Sequence, residues 1–117
     1  MEKIITISNK VYTMKSSALT QFSYKNETGR SFIKDLQTLS GINPEDGEQI
    51  DEITELVLKV AYIMVKEADK AHNTNQATNY EGFLANIESL YDNMDWISEV
   101  LELACSPLSG QLQTNKN

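Results

Sequence analysis

The stretch "ITELVLKVAYIMVKEADKAH", residues 53–72, constrains the fold more than any other part of the chain. Ile53, Val57, Val60, Ala61, Met64 and Ala68 repeat at helical spacing and form one apolar face, which Ile50 begins. Leu56, Leu58, Tyr62, Ile63 and Val65 widen that face far beyond a stripe. A helix so apolar around its middle must be surrounded by other elements. It is therefore the predicted central helix, with its early turns more solvated. Glu48, Asp51, Glu52 and Glu55 crowd its start, and Lys66 and Lys70 fall near its end, an order that suits the helix dipole. Glu55 and Lys59 form an i,i+4 pair, and Asn43 before Pro44 offers a cap followed by a first-turn proline.

What surrounds this helix is read from the flanking segments. "EKIITISNKVYTMKSS" opens the chain with β-branched residues and breaks at Ser8, Asn9 and Lys10, which predicts a β-hairpin over about 3–14. From Ser17 the period becomes helical. Ala18, Leu19 and Phe22 make its expected apolar face, Ser16 or Ser17 its cap and Gly29 its stop. Phe32, Ile33, Leu36 and Leu39 give a second short helix, stopped by Gly41. Phe22, Gly29, Phe32 and Ile33 are thus expected to form the corner between the two. Further on, Thr78 and Glu81 fit a capping box before a helix with Tyr80, Phe83, Leu84 and Ile87, expected to reach Leu90 or Tyr91. Asp92, Asn93 or Asp95 caps a last helix bearing Trp96, Ile97, Val100, Leu101 and Ala104, and Pro107 ends it. The expected architecture is mainly α. About five helices surround a long central helix, with a short N-terminal β-hairpin. One domain covers 1–105, and 106–117 forms a polar, disordered tail.

Charge and composition narrow the function. The net charge of −7 opposes binding to nucleic-acid backbones or anionic membranes, and the ten Lys and Arg do not cluster. No apolar run is long enough to span a bilayer, and Lys3 is not followed by the apolar core of a signal peptide. A soluble intracellular protein is expected. The chain's one His, His72, and one Cys, Cys105, are too few and too far apart for a zinc site or a nucleophilic pair. Near "PEDGEQIDE", placing Gly47 sixth in a calcium loop puts Ile42 first, where it cannot ligate. "NETGRSF" has the single Gly29 and lacks the Gly-Lys-Ser/Thr ending of a phosphate loop, although Arg30 lies beside a helix start. No cofactor, metal or catalytic set emerges, and the chain reads as a non-enzyme. Tyr80, Phe83, Leu84, Tyr91 and Trp96 are the candidate partner-binding residues, because aromatics are enriched in binding hot spots. Core packing is the competing role for each of them.

The order of pieces resembles the tail assembly chaperones of long-tailed bacteriophages and prophages, especially those of Gram-positive hosts. Tyr24, Glu27, Gly29, Arg30 and the helix through Leu36 match one family segment. Tyr80, Glu81, Phe83 and Leu84 match another, with Phe83 where many members carry tryptophan. The resemblance runs from about Lys3 to Leu103. It implies a protein of the host cytoplasm that binds the tape measure protein, keeps it soluble, helps recruit tail-tube subunits and is absent from the mature virion. It also implies recruitment of tail-tube protein through a frameshifted longer form, and self-association as a homo-oligomer. The alternative is a small acidic phage or bacterial regulator that binds DNA or another protein through its first helices, the second of which offers Lys34 and Arg30 but also Asp35.

Overall fold

The computed structural model describes residues 1–40 and 50–108, with the side chains of Ser40 and Ile50 excepted. The chain begins with antiparallel strands β1 (Glu2–Ile7) and β2 (Lys10–Lys15), paired with Ile7 opposite Lys10 and Glu2 opposite Lys15. Ser8 and Asn9 form the two-residue turn, both at positive φ (51° and 67°). Two positive φ values in a two-residue loop match the right-handed twist of the flanking strands. Alternation then sends Ile5, Ile7, Tyr12 and Met14 into the core, while Ile4 and Val11 point outward.

Five α-helices follow among the described residues: α1 (Ala18–Thr28), α2 (Phe32–Ser40), α3 (Ile50–His72), α4 (Tyr80–Ala85) and α5 (Asp95–Cys105). The expectation of a mainly helical fold with a hairpin and a long central helix is met. α3 is that helix, and β2, α5, α1 and α4 all pack on it. Its residues from Val60 to Val65 are buried on every side. Asp51 and Glu52 occupy its first turn, and Lys70 and His72 its last. Asn73, at φ 54°, ends it, and the Thr74 amide donates back to the Asp69 carbonyl at 3.0 Å. Glu55 and Lys59 approach to 3.8 Å as the spacing requires. The Asn43–Pro44 cap, the Gly41 stop and the Gly47 loop lie outside the described residues.

Several boundaries differ from the sequence expectation. Asn79, not Thr78, caps α4, its side chain accepting from the Gly82 amide at 2.7 Å. α4 stops at Ala85 instead of running to Leu90 or Tyr91. The chain from Asn86 to Met94 is irregular and returns to the hairpin, where the Ser89 amide donates to Ser8 Oγ at 2.9 Å. α5 starts after Met94, which makes no side-chain cap, while the side chain of Asn93, one of the expected caps, accepts from the Asp95 amide at 2.9 Å. Beyond Cys105 the chain continues as a 3-10 turn, Ser106–Leu108, and Leu108 is buried. The folded body therefore extends three residues past the expected boundary at 105. The rest of the expected tail lies outside the described residues.

Candidate partner groove

α1 is built the opposite way from its hydropathy. Its buried residues are Thr20 and Tyr24, while Leu19 and Phe22 are 49% and 59% exposed. The cause is a pair of buried carboxylates on the neighbouring helices, which need donors once removed from water. Thr20 Oγ1 donates to Glu67 Oε1 at 2.6 Å, and Ser17 Oγ donates to the other oxygen of Glu67. Tyr24 donates through its hydroxyl to Asp35 Oδ2 at 2.6 Å. Ser17 also caps α1, and the Thr20 hydroxyl accepts from the Ser17 amide to complete a capping box. With its polar side turned inward, α1 has no inward place for Phe22.

The α1–α2 corner is correspondingly different from the expected one. Gly29 sits at φ 73° and its amide donates to the Lys25 carbonyl, the helix stop read from the sequence. Phe22 does not hold the corner. The Tyr24 and Phe32 rings do, with centroids 5.2 Å apart, and Ile33 packs half-buried beside the core. Arg30 forks onto Asp35, Nε to Oδ2 at 2.8 Å and its terminal nitrogen to Oδ1 at 2.9 Å. These bonds lower the Asp35 carboxyl below its ordinary value; burial opposes them, and the Tyr24 hydroxyl adds to the lowering. Burial foremost, then the bond to Asp35, raises the Tyr24 hydroxyl well above the usual tyrosine range. The half-exposed Arg30 charge is thus met by the buried Asp35 carboxylate, which argues against this corner as a phosphate-binding turn.

Beside α1 lies a groove against α3 and α4. One hollow of about 280 Å³ is lined by Leu19, Ser23, Asn26, Glu27, Tyr62, Ile63, Lys66, Glu67 and Lys70. A second, of about 230 Å³, is lined by Glu27, Thr28, Lys59, Tyr62 and Tyr80. Glu27 and Tyr62 border both, so the two hollows adjoin each other beside α1. The Tyr62 ring packs edge-on against Tyr80 at 5.5 Å and tilted against Phe83 at 5.8 Å, which fixes it in place. Burial, followed by the nearby carboxylates of Glu27 and Asp69, raises the Tyr62 hydroxyl. The groove therefore offers apolar and aromatic area between Glu27 on α1 and the α3 lysines. Lys66 is held by the Ala77 carbonyl at 3.0 Å.

The aromatic residues singled out in the sequence do not form one surface. Phe83 and Trp96 are fully buried core residues, a correction of their candidate binding role. Phe83 meets Tyr12 edge-on with ring centroids 5.2 Å apart, and the Trp96 indole donates to the Leu90 carbonyl at 3.1 Å. Tyr80 and Leu84 are half-buried, and only Tyr80 reaches the groove. Tyr91 is exposed and contacts Thr54 Oγ1 at 3.3 Å. Leu19 and Phe22 escaped the sequence reading because hydropathy assigned them to the core. No signal in the sequence shows that Glu67 and Asp35 claim the opposite face.

Among the described residues no group of three or more His, Cys, Asp or Glu could hold a metal ion. His72 lies at the C-terminus of α3, with Nε2 2.7 Å from Glu2 Oε2 on β1. Cys105 is half-buried, and burial pushes its thiol up, away from the reactive thiolate. No described helix is long and apolar enough to cross a membrane. No family model, curated protein or solved structure matches this chain.

Proposed function

We propose that this protein is a tail assembly chaperone of a long-tailed phage or prophage. In this reading it acts in the host cytoplasm, binds amphipathic helical segments of the tape measure protein and keeps that chain soluble until tail-tube subunits arrive. A longer frameshifted form recruits the tube protein, and copies self-associate. The observation that carries the reading is the outward display of Leu19 and Phe22 on α1, with Leu19 lining a groove that Tyr62 also borders. A helix laid along α1 would bury this apolar area in the manner of groove-bound amphipathic helices. The net charge of −7 helps hold such a complex in solution. The resemblance around Tyr24, Glu27, Gly29 and Arg30 falls on the same helix and its stop.

The test is co-expression with a tape measure protein. The wild-type chain keeps it soluble and co-purifies with it. Leu19→Ser combined with Phe22→Ser loses that capture while the chaperone's own melting temperature holds, because both side chains are exposed. A tape measure protein equally insoluble with and without the wild-type chain would falsify the reading.

A further inference from the structure

The two edges of the hairpin are treated differently. On β2, the Thr13 amide donates to Gln76 Oε1 at 2.7 Å, and Gln76 Nε2 donates to the Thr13 carbonyl at 2.8 Å. The Gln76 amide stands in for a third strand and closes that edge. It also fixes the direction of the main chain. Thr13 spends its groups on Gln76, so its pair with Ile4 is a non-hydrogen-bonded one. Ile4 therefore aims its own N–H and C=O away from β2, and by period two so do Glu2 and Thr6. No described residue meets the main-chain groups of Ile4 or Thr6. An edge strand left this way is a template for another strand.

The open edge borders a cavity of about 400 Å³. Ile4 and Thr6 form one side, and Asp92, Asp95, Trp96 and Glu99 the other. Among the described residues, the ion pair at these three carboxylates is that of Lys3, whose Nζ lies 4.0 Å from Glu99. Ile4 is itself 65% exposed. A second copy of this chain, itself at a net charge of −7, would bring the same three carboxylates against the first. A cationic strand satisfies both the main chain and the wall.

We propose that the β1 edge docks an extended segment of a partner protein, which adds as a third strand and carries Lys or Arg toward Asp92, Asp95 and Glu99. Main-chain bonds to Ile4 and Thr6 supply the pairing, and the carboxylates select the sign of the side chains. The site shares no residue with the α1–α3 groove, so its test is separate from tape measure solubility.

The probe is a short fluorescent peptide alternating lysine and valine, measured by anisotropy on the full chain. Controls are the same peptide with glutamate for lysine, and one N-methylated at alternate amides. The lysine peptide binds and the glutamate peptide does not. N-methylation on the pairing side weakens binding by about tenfold or more, as does Asp92→Asn with Glu99→Gln. Ile4→Pro does the same while sparing the hairpin, because the Ile4 N–H takes no part in the β1–β2 ladder. Equal binding of the N-methylated peptide reduces the site to charge attraction and overturns the proposal. Failure of the lysine peptide to bind also overturns it and leaves the acidic wall as a guard against pairing.

Discussion

At the scale of single residues, two positions make separable demands on stability. Gly29 adopts φ 73°, and a Cβ built there would meet nothing within 4 Å. The cost of Gly29→Ala is therefore a backbone cost alone, about 1 kcal/mol, visible as a lower midpoint in urea with an unchanged slope. Asp35 makes the second demand. Its folded-state pKa is depressed, so its contribution is present above the unfolded value near 3.8 and lost as pH falls through the folded one. Asp69 shifts the same way. Burial would raise it, but donors from the Gln76 amide and the Thr74 hydroxyl outweigh burial. Tyr24 acts at the other end of the scale, because a raised pKa gives stability that is lost as pH climbs above 10. Thermal melts across pH should show a plateau between roughly pH 5 and 9 with losses on both sides. In Asp35→Asn the acid-side loss becomes shallower, and the plateau itself drops because the Arg30 charge loses its partner.

At the scale of elements, what could be read in advance follows the range of the interactions involved. α3 was legible because its apolar arc is a local pattern, and the hairpin because Ser8 and Asn9 interrupt β-branched runs. The Gly29 stop was legible for the same reason. α1 was legible as a helix and illegible as a face. Thr20 is buried by Glu67, 47 residues away, and Tyr24 by Asp35 across the corner. Hydropathy carries no trace of such polar partners, so it assigns Phe22 to the inside, whereas the structure has it outside. α4 fails for a related reason. Tyr80, Phe83, Leu84 and Ile87 keep helical spacing, yet the helix ends at Ala85 and the chain then returns to Ser8 on the hairpin, a long-range contact that the spacing does not show. The Gln76 clasp on Thr13 spans 63 residues and has no motif at all. The candidate groove inherits this blindness. Tyr80 and the buried Tyr62 are legible in the sequence, but hydropathy assigns the rim residue Leu19 to the core, and the structure has it exposed.

At the scale of the whole molecule, the hairpin and helices share one core built on α3, so interior and exterior aromatics should give opposite phenotypes. Phe83 touches Tyr12 on the hairpin and Tyr62 on the central helix, joining three elements at one ring. Its removal in Phe83→Ala leaves a cavity that none of the three can close alone, at a cost of about 3–5 kcal/mol. A domain of this size holds on the order of 5–15 kcal/mol in total, so the variant should melt far below the wild type or fail to fold. Phe22→Ser removes a ring of similar size from the surface and should leave the denaturation midpoint within about 0.5 kcal/mol of the wild type. Chemical denaturation followed by tryptophan fluorescence distinguishes the two, because Trp96 is buried in the same core as Phe83. If Phe22→Ser proved as damaging as Phe83→Ala, α1 would not present its apolar side to solvent. If Phe22→Ser is neutral for folding, any partner it fails to hold is lost through the surface and not through the fold.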